Sequence, residues 1–373
     1  MGDHMQGKQS AIRGRWAGAA LFLVNGFIMG SWAPQIPLLL PRFQITEFTV
    51  GLLILALGFG AVAAMAFAGG LIVRYGSVRV VQVFAVLASV TLAAVVLAPT
   101  LLLLALALII MGALIGCMDV SMNASAVEVE RRLGRAIMSS CHGFWSLGGF
   151  VGGGLGGWII AAQGAETHAL LVSGASLLIV LIASRFLIGE PPHPVAIAAD
   201  GGKKSHWPRE SAIYIIGIMA LLSMVPEGAV LDWAALYLGK EMGSDVTTSG
   251  YAFAFFSGAM ALMRFGGDAV RNRFGAVATL RFSGLIAAAG LLGAALAPTA
   301  PIAIACFAVA GLGIANTVPI MFSAAGNHPG LSPGVGISTV TMMGYSGILI
   351  APSSIGFVAE HIGFRVTYAA LAI

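Results

Sequence analysis

The feature that most constrains this chain is an apolar run about as long as a bilayer is thick, repeated from end to end. A helix needs about 20 apolar residues to cross a hydrocarbon core. Runs of that kind fall near 16–40, 48–72, 78–98, 101–124, 137–162, 168–189, 211–238, 248–270, 277–297, 300–323 and 333–358. A twelfth begins near Phe364 and is cut off at Ile373. Connectors nearly vanish at Pro99-Thr100 and Pro298-Thr299. Barrel strands are shorter and alternate in polarity, so the pattern excludes them. Charged residues make up only 9% of the 373, against roughly 25% in a soluble domain. That is too little charge to cover a soluble surface. The expected fold is an all-α membrane protein surrounded by the lipid bilayer. The first run is too long for a signal-peptide core, and no polar secreted domain follows it.

The net charge of +4 does not read as a nucleic-acid surface, because the positives are sorted along the chain. With the N-terminus inside, sixteen of the nineteen Lys and Arg residues fall on the inner side, Arg264 among them. Only Arg42, Lys240 and Arg365 fall outside. The positive-inside rule then places the N-terminus in the cytoplasm of an inner-membrane protein. Cys117, Cys141 and Cys306 lie in or beside apolar runs with no metal or disulfide spacing, and read as packing residues.

A constant offset relates the two halves. Leu97-Ala98-Pro99-Thr100 recurs as Leu296-Ala297-Pro298-Thr299. Arg74 and Gly76 recur as Arg273 and Gly275; Gly112, Met122, Ser139 and Gly148 recur as Gly311, Met321, Ser338 and Gly347. Every pair is 199 residues apart. Residues 190–210 interrupt the apolar pattern with Pro191, Pro192, Pro194, Gly201, Gly202, Lys203 and Lys204. The expected organisation is a cytoplasmic tail (1–15), a six-helix half (16–189), a cytoplasmic linker (190–210) and a second half (211–373). The repeat predicts that the twelfth span needs roughly 15 residues beyond Ile373 to be complete. Duplicated halves about an axis along the membrane normal are a transporter plan.

A charged side chain deep in a bilayer costs a few kcal/mol or more unless it is paired, hydrated or neutralised. Of the 15 acidic residues, Asp119, Glu227 and Asp232 fall well inside runs. Glu227 sits about 24 Å into its helix, near mid-depth, between Pro226 and Gly228. Transporters use such helix breaks at binding sites, so Glu227 is the leading proton-coupling residue. Asp232 lies nearer the outer side, where water exposure is the competing reading. Gly112, Gly116, Asp119 and Asn123 share one helical face. There Asp119 is a proton or substrate site, or a polar anchor, with His142 as a partner or as a simple packing residue. Asn25, Gln35, Trp32, Trp145 and Trp233 supply polar groups and aromatic walls of the kind that suit a sugar-like solute. For Trp32 and Trp233, interfacial anchoring competes. Asn316, Thr341 and Tyr345 are further cavity candidates, although hydroxyls in helices often bond only their own backbone. Two glycine ladders, Gly148-Gly152-Gly156 and Gly149-Gly153-Gly157, allow close helix packing and smooth sliding.

Three stretches carry a resemblance to the major facilitator superfamily. Gly69-Gly70-Leu71-Ile72-Val73-Arg74-Tyr75-Gly76 resembles that family's Gly-x-Leu-x-Asp-Arg-x-Gly cytoplasmic loop, with Val73 in place of the Asp. The second copy has Asn272 there, before Arg273 and Gly275, with Asp268 available to substitute. Asp119-Val120-Ser121-Met122-Asn123-Ala124 with Met138 to Ser146, and Glu227-Gly228-Ala229 with Asp232 to Leu238, resemble the MosC-like branch related to fucose permeases. The resemblance implies a twelve-helix fold of two pseudo-symmetric six-helix halves and a solute carrier working by alternating access. No phosphate-binding loop, nucleophile–base pair or metal-ligand set is present. The expectation is therefore not an enzyme, and needs no cofactor or metal. It is a monomeric carrier whose partners are a small polar solute and protons, with uptake favoured because helix five lacks the Gly-Pro pair of antiporters. Efflux of an amphipathic compound, a non-transporting sensor and a channel are the alternatives.

Overall fold

The computed structural model describes residues 2–134, 137–188, 210–326, 328 and 333–373, apart from some helical side chains within those ranges. The chain runs α1 (Gly2–Trp32), a 3-10 turn (Ala33–Gln35), α2 (Ile36–Phe43), α3 (Glu47–Tyr75), α4 (Ser77–Ser89) and α5 (Thr91–Val96). It continues with α6 (Leu101–Leu133), α7 (Met138–Gln163), α8 (Ala165–Ser184), α9 (Ser211–Met242) and α10 (Val246–Phe274). The last elements are α11 (Ala276–Leu296), α12 (Ala300–Ile314), α13 (Thr317–Gly326), α14 (Pro333–Ile362) and α15 (Phe364–Leu371). Every element described is helical. Among the described residues, ten segments are long and apolar enough to cross a membrane, and α14 adds a helix of 30 residues.

Three boundaries depart from expectation. α1 begins at Gly2, so residues before Trp16 extend the first helix rather than forming a separate tail. The third run is divided at Val90 into α4 and α5. The tenth is divided at Ala315-Asn316, four and three residues before Pro319. Proline has no N–H to give the carbonyl four residues back, which leaves Ala315 O without its helical partner. The linker 190–210 lies outside the described residues except for Glu210.

The 199-residue repeat has a physical basis in close backbone contacts. A Cβ at Gly112 would strike Leu57 O, and one at Gly311 would strike Phe256 O, the same contact one repeat later. Gly76 and Gly275 end α3 and α10 with φ of 82° and 79°. That left-handed geometry suits glycine alone without strain, so these two motif glycines turn the chain sharply between helices. At the end of the bundle opposite the N-terminus, Arg42 donates to Val96 O and Ala98 O at 2.5 and 2.7 Å. Arg365 donates to Ala295 O and Ala297 O at 3.3 and 2.9 Å, the same carbonyls 199 residues on. Asp245 caps α10 by accepting from Thr248 N and Oγ1, and those bonds hold its carboxyl below the usual carboxylate range.

The two glycine ladders of α7 face different partners. Gly148, Gly152 and Gly156 press against Leu23, Phe27, Ser31 and Pro34, the α1 side of the same half. Gly149, Gly153 and Gly157 press against Phe253, Ala254 and Thr247 on α10 of the other half. One helix thus seals its own bundle with one face and meets the opposite bundle with the other.

Candidate functional site

Glu227 lies on α9, in a helix that Pro226 loosens by withholding a hydrogen bond. Its partner is Arg264 of α10, with Nη2 3.6 Å from Oε1. Arg264 is 8% exposed and Glu227 20%. The guanidinium reaches further: Nη1 donates to Ser146 Oγ at 2.7 Å, on α7 of the first half. Nε donates at 3.4 Å to Ala315 O, the carbonyl that Pro319 leaves free. A buried cation is tolerable only when paired and hydrogen-bonded, and these three partners supply that. Residue order alone puts Arg264 among the inner-side surface charges; the structure puts it inside the protein, between the halves. Two signals in the sequence mark it. It stands inside the apolar window Val246–Gly267, and an intramembrane carboxyl such as Glu227 needs a cation.

Asp119 on α6 is reached from the other half. Tyr345 of α14 donates its hydroxyl to Asp119 Oδ2 at 3.4 Å. Asn123 Nδ2 donates to Asp119 O at 2.9 Å and to Oδ1 at 3.4 Å, as the shared helical face required. Tyr345 thus joins the Asp119 carboxyl of the first half to α14 of the second. His142 is not the partner of Asp119 among the described contacts. Its ring packs edge-on against Phe22 at 5.1 Å. Next along α7, Trp145 Nε1 donates to Asn25 Oδ1 at 2.9 Å, leaving the buried Asn25 Nδ2 without a partner among the described residues. Asn316, beside Ala315, likewise keeps a buried Nδ2 without a partner.

Other expected residues stand elsewhere. Asp232 is buried at 6% exposure, not in water. It lines a cavity of about 10 Å³ with Gly228, Trp233 and Pro352 inside the second half. Gln35 does not face a shared cavity: Nε2 donates to Ala165 O at 3.1 Å and pairs with His168 Nδ1 at 2.8 Å, tying α8 to the 3-10 turn. Trp32 and Trp233 are fully buried in the core, which replaces both the interfacial and the cavity-wall readings for Trp32. Trp233 packs on Phe364 at 5.8 Å and on the small cavity at Asp232. In the loop motif, Arg74 and Arg273 are exposed and lie over Tyr75 and Phe274 at 5.2 and 5.6 Å. The surroundings of Gly69 and the side chains of Asp268 and Thr341 lie outside what the structure describes. No cluster of metal-ligating side chains occurs among the described residues.

Residues 18–352 match the family model described as Major Facilitator Superfamily. The chain belongs to the Major Facilitator Superfamily. An uncharacterised MFS-type transporter of Yersinia pestis is 32% identical over 99% of this chain and 95% of its own. An uncharacterised transporter of Sinorhizobium fredii is 34% identical, covering 95% and 93%. The membrane protein MosC of Rhizobium meliloti is 32% identical, covering 92% and 83%. Among solved structures, the nucleoside transporter NupG superposes with a TM-score of 0.70 at 13% identity over 96% of this chain and 95% of its own. A D-xylose-proton symporter gives 0.74 at 15% identity over 97% and 95%. At those identities the likeness establishes the fold: two six-helix halves of the major facilitator type. The chain is a multi-pass membrane transporter, not an enzyme.

Proposed function

We propose that this major facilitator transporter carries a small polar, sugar-like solute by alternating access, with a proton bound at Glu227 as the coupling ion. One observation carries the reading. Arg264 holds Glu227 of its own half and Ser146 of the other half at the same time. Two unit charges about 4 Å apart attract by roughly 4 kcal/mol at an effective dielectric of 20. Protonating Glu227 removes that attraction and frees the guanidinium to turn fully to Ser146 or to solute. A change in one proton is thereby a change in how the halves are joined. Asp119 with Tyr345 and Asn123, and Asn25 with Trp145, supply further hydrogen-bonding groups within the spans, which suits a polyhydroxylated solute. The fold also serves a D-xylose-proton symporter, so it accommodates sugar–proton symport.

The chain would sit in the inner membrane as a monomer with its N-terminus in the cytoplasm. Moving Arg264 into the interior leaves fifteen positives on the inner side against three outside, so the charge bias persists. Uptake is the favoured direction, since α7 contains no proline.

A panel of labelled sugars and polyols in proteoliposomes should yield at least one saturable substrate. With that substrate, Glu227→Gln should abolish gradient-driven accumulation and leave counterflow exchange within about twofold of the parent. Full accumulation in the variant would refute the role of Glu227.

A further inference from the structure

The end of the bundle opposite the N-terminus carries inter-half contacts of a different kind from those at the centre. Glu47, the first residue of α3, is buried and forms an ion pair with Lys240 on the last turn of α9. One residue on, Phe48 N donates to Glu360 Oε2 of α14 at 3.0 Å. The ring of Phe48 meets Phe357 of α14 at 5.9 Å. The backbone of α14 closes on the same point, since a Cβ at Gly356 would come 2.7 Å from Glu47 O. Three successive groups of one half are therefore held by two helices of the other.

The chemistry of the Phe48 contact is informative. The first N–H groups of a helix have no partner within the helix. Thr46 caps α3 through Thr49 N, and the free Phe48 N–H is taken by a carboxylate from the opposite half. An anion at a helix N-terminus is favoured by the partial positive charge there. In the equivalent helix of the second half, α10, the N-cap residue Asp245 itself supplies the carboxylate, accepting from Thr248 N and Oγ1. Within each half, by contrast, Arg42 and Arg365 staple the loop carbonyls locally. The end is thus made of two rigid pieces, with a charged closure between them on the α3 side.

We propose that Lys240–Glu47 and Glu360–Phe48 N together form the latch that keeps this end of the transport path shut, and that both must break for it to open. The proposal rests on the alternating-access reading, and its energetics follow from burial. Glu47 has Lys240 as its one ionic partner among the described contacts, so losing that partner leaves a buried carboxylate that only hydration can satisfy. Separation of α3 from α9 and α14 supplies that water. Weakening the latch therefore favours the separated state.

Spin labels on noncanonical residues at the exposed, repeat-equivalent positions 100 and 299 leave the native cysteines in place and report the distance between the two halves at this end. In wild-type proteoliposomes the short distance should dominate, with a minor longer component. Lys240→Gln with Glu360→Ala should raise the long component at least fivefold. The exchange Glu47→Lys with Lys240→Glu, Glu360 retained, should return it to within twofold of wild type. A wild type with two distances whose populations neither variant changes would overturn the latch alone. One invariant distance in every protein would overturn alternating access itself. Circular dichroism and size-exclusion profiles matching the parent exclude misfolding as the cause of a shift.

Discussion

The two glycine faces of α7 look alike in sequence and do different work. The ladder Gly148-Gly152-Gly156 lies against α1, and there a Cβ would meet backbone: Leu23 O at Gly148, and Phe27 O at 2.5 Å from Gly152. The ladder Gly149-Gly153-Gly157 lies against α10 of the other half. At Gly153 a Cβ would sit 3.2 Å from Ala254 N and 3.3 Å from Gly250 O, a tight fit but not an overlap, whereas at Gly157 it would meet Val246 O at 2.7 Å and at Gly149 Ser257 Oγ at 2.5 Å. Inside the half the tightest contacts, at Gly148 and Gly152, are against α1 backbone, and Gly156 meets the side chains of Pro34 and His168. Between the halves the fit varies along the seam, and side chains cross it: Ser257 Oγ donates to Ser146 O at 2.6 Å, Thr247 Oγ1 donates to Gly157 O at 3.3 Å, and Tyr345 reaches Asp119, besides the crossings at Arg264 and at the α3 end. Under the proposed alternating access, the seam between the halves would separate while the seam with α1 stays closed.

Four substitutions would break or sharpen that contrast. The largest effect is expected from Gly148→Leu, which forces α7 away from α1. Overpacking typically costs 1–3 kcal/mol, and a leucine against backbone should reach about 3 kcal/mol or more. Thermal unfolding in detergent should show a fall in Tm of about 4 °C or more; an unchanged Tm would mean the ladder is not a closed seam. Next is Arg264→Gln, which strands Glu227 between the halves. Breaking a buried pair costs 3–5 kcal/mol, and the partial exposure of Glu227 should reduce that to about 2 kcal/mol. Adding Glu227→Gln to Arg264→Gln should recover at least half of that stability, and a further loss would show that the two residues are not paired. Gly153→Ala should change stability by less than about 1 kcal/mol and slow turnover several-fold, because it roughens only the surface that separates. Equal losses in stability for Gly148→Ala and Gly153→Ala would erase the distinction. The smallest effect belongs to Asp232→Asn. Asp232 is enclosed in one half, so substitution should leave proton-driven accumulation within about twofold of the parent. Abolished coupling would place a proton site inside a half.

Much of the site can be read from residues in order. Glu227 and Asp119 stand out because a carboxyl group in an apolar run demands an explanation, and Asn123 follows from helical spacing. Tyr345 is one of several hydroxyl-bearing residues, and nothing in α14 alone ranks it above the rest. Arg264 escapes because basic residues near span ends normally lie at the surface, and hydropathy averages over all faces of a helix. The face of α10 that carries Arg264 matters only because Ser146, Ala315 and Glu227 converge on it. Gln35 misleads for the same reason in reverse. Its polar group looks free along the chain, but His168 and Ala165, 130 or more residues away, take it.

Order along the chain determined the spans, their number and the duplication, because the bilayer's thickness and the cost of bare backbone in lipid act on each segment separately. Glycine positions determined where helices can touch, since close approach is lost as soon as a Cβ is present. Which helix each glycine touches, and which charge answers which, was decided by the assembled bundle. Pairing energies depend on distance and burial between residues far apart in the chain, and only the folded arrangement sets those.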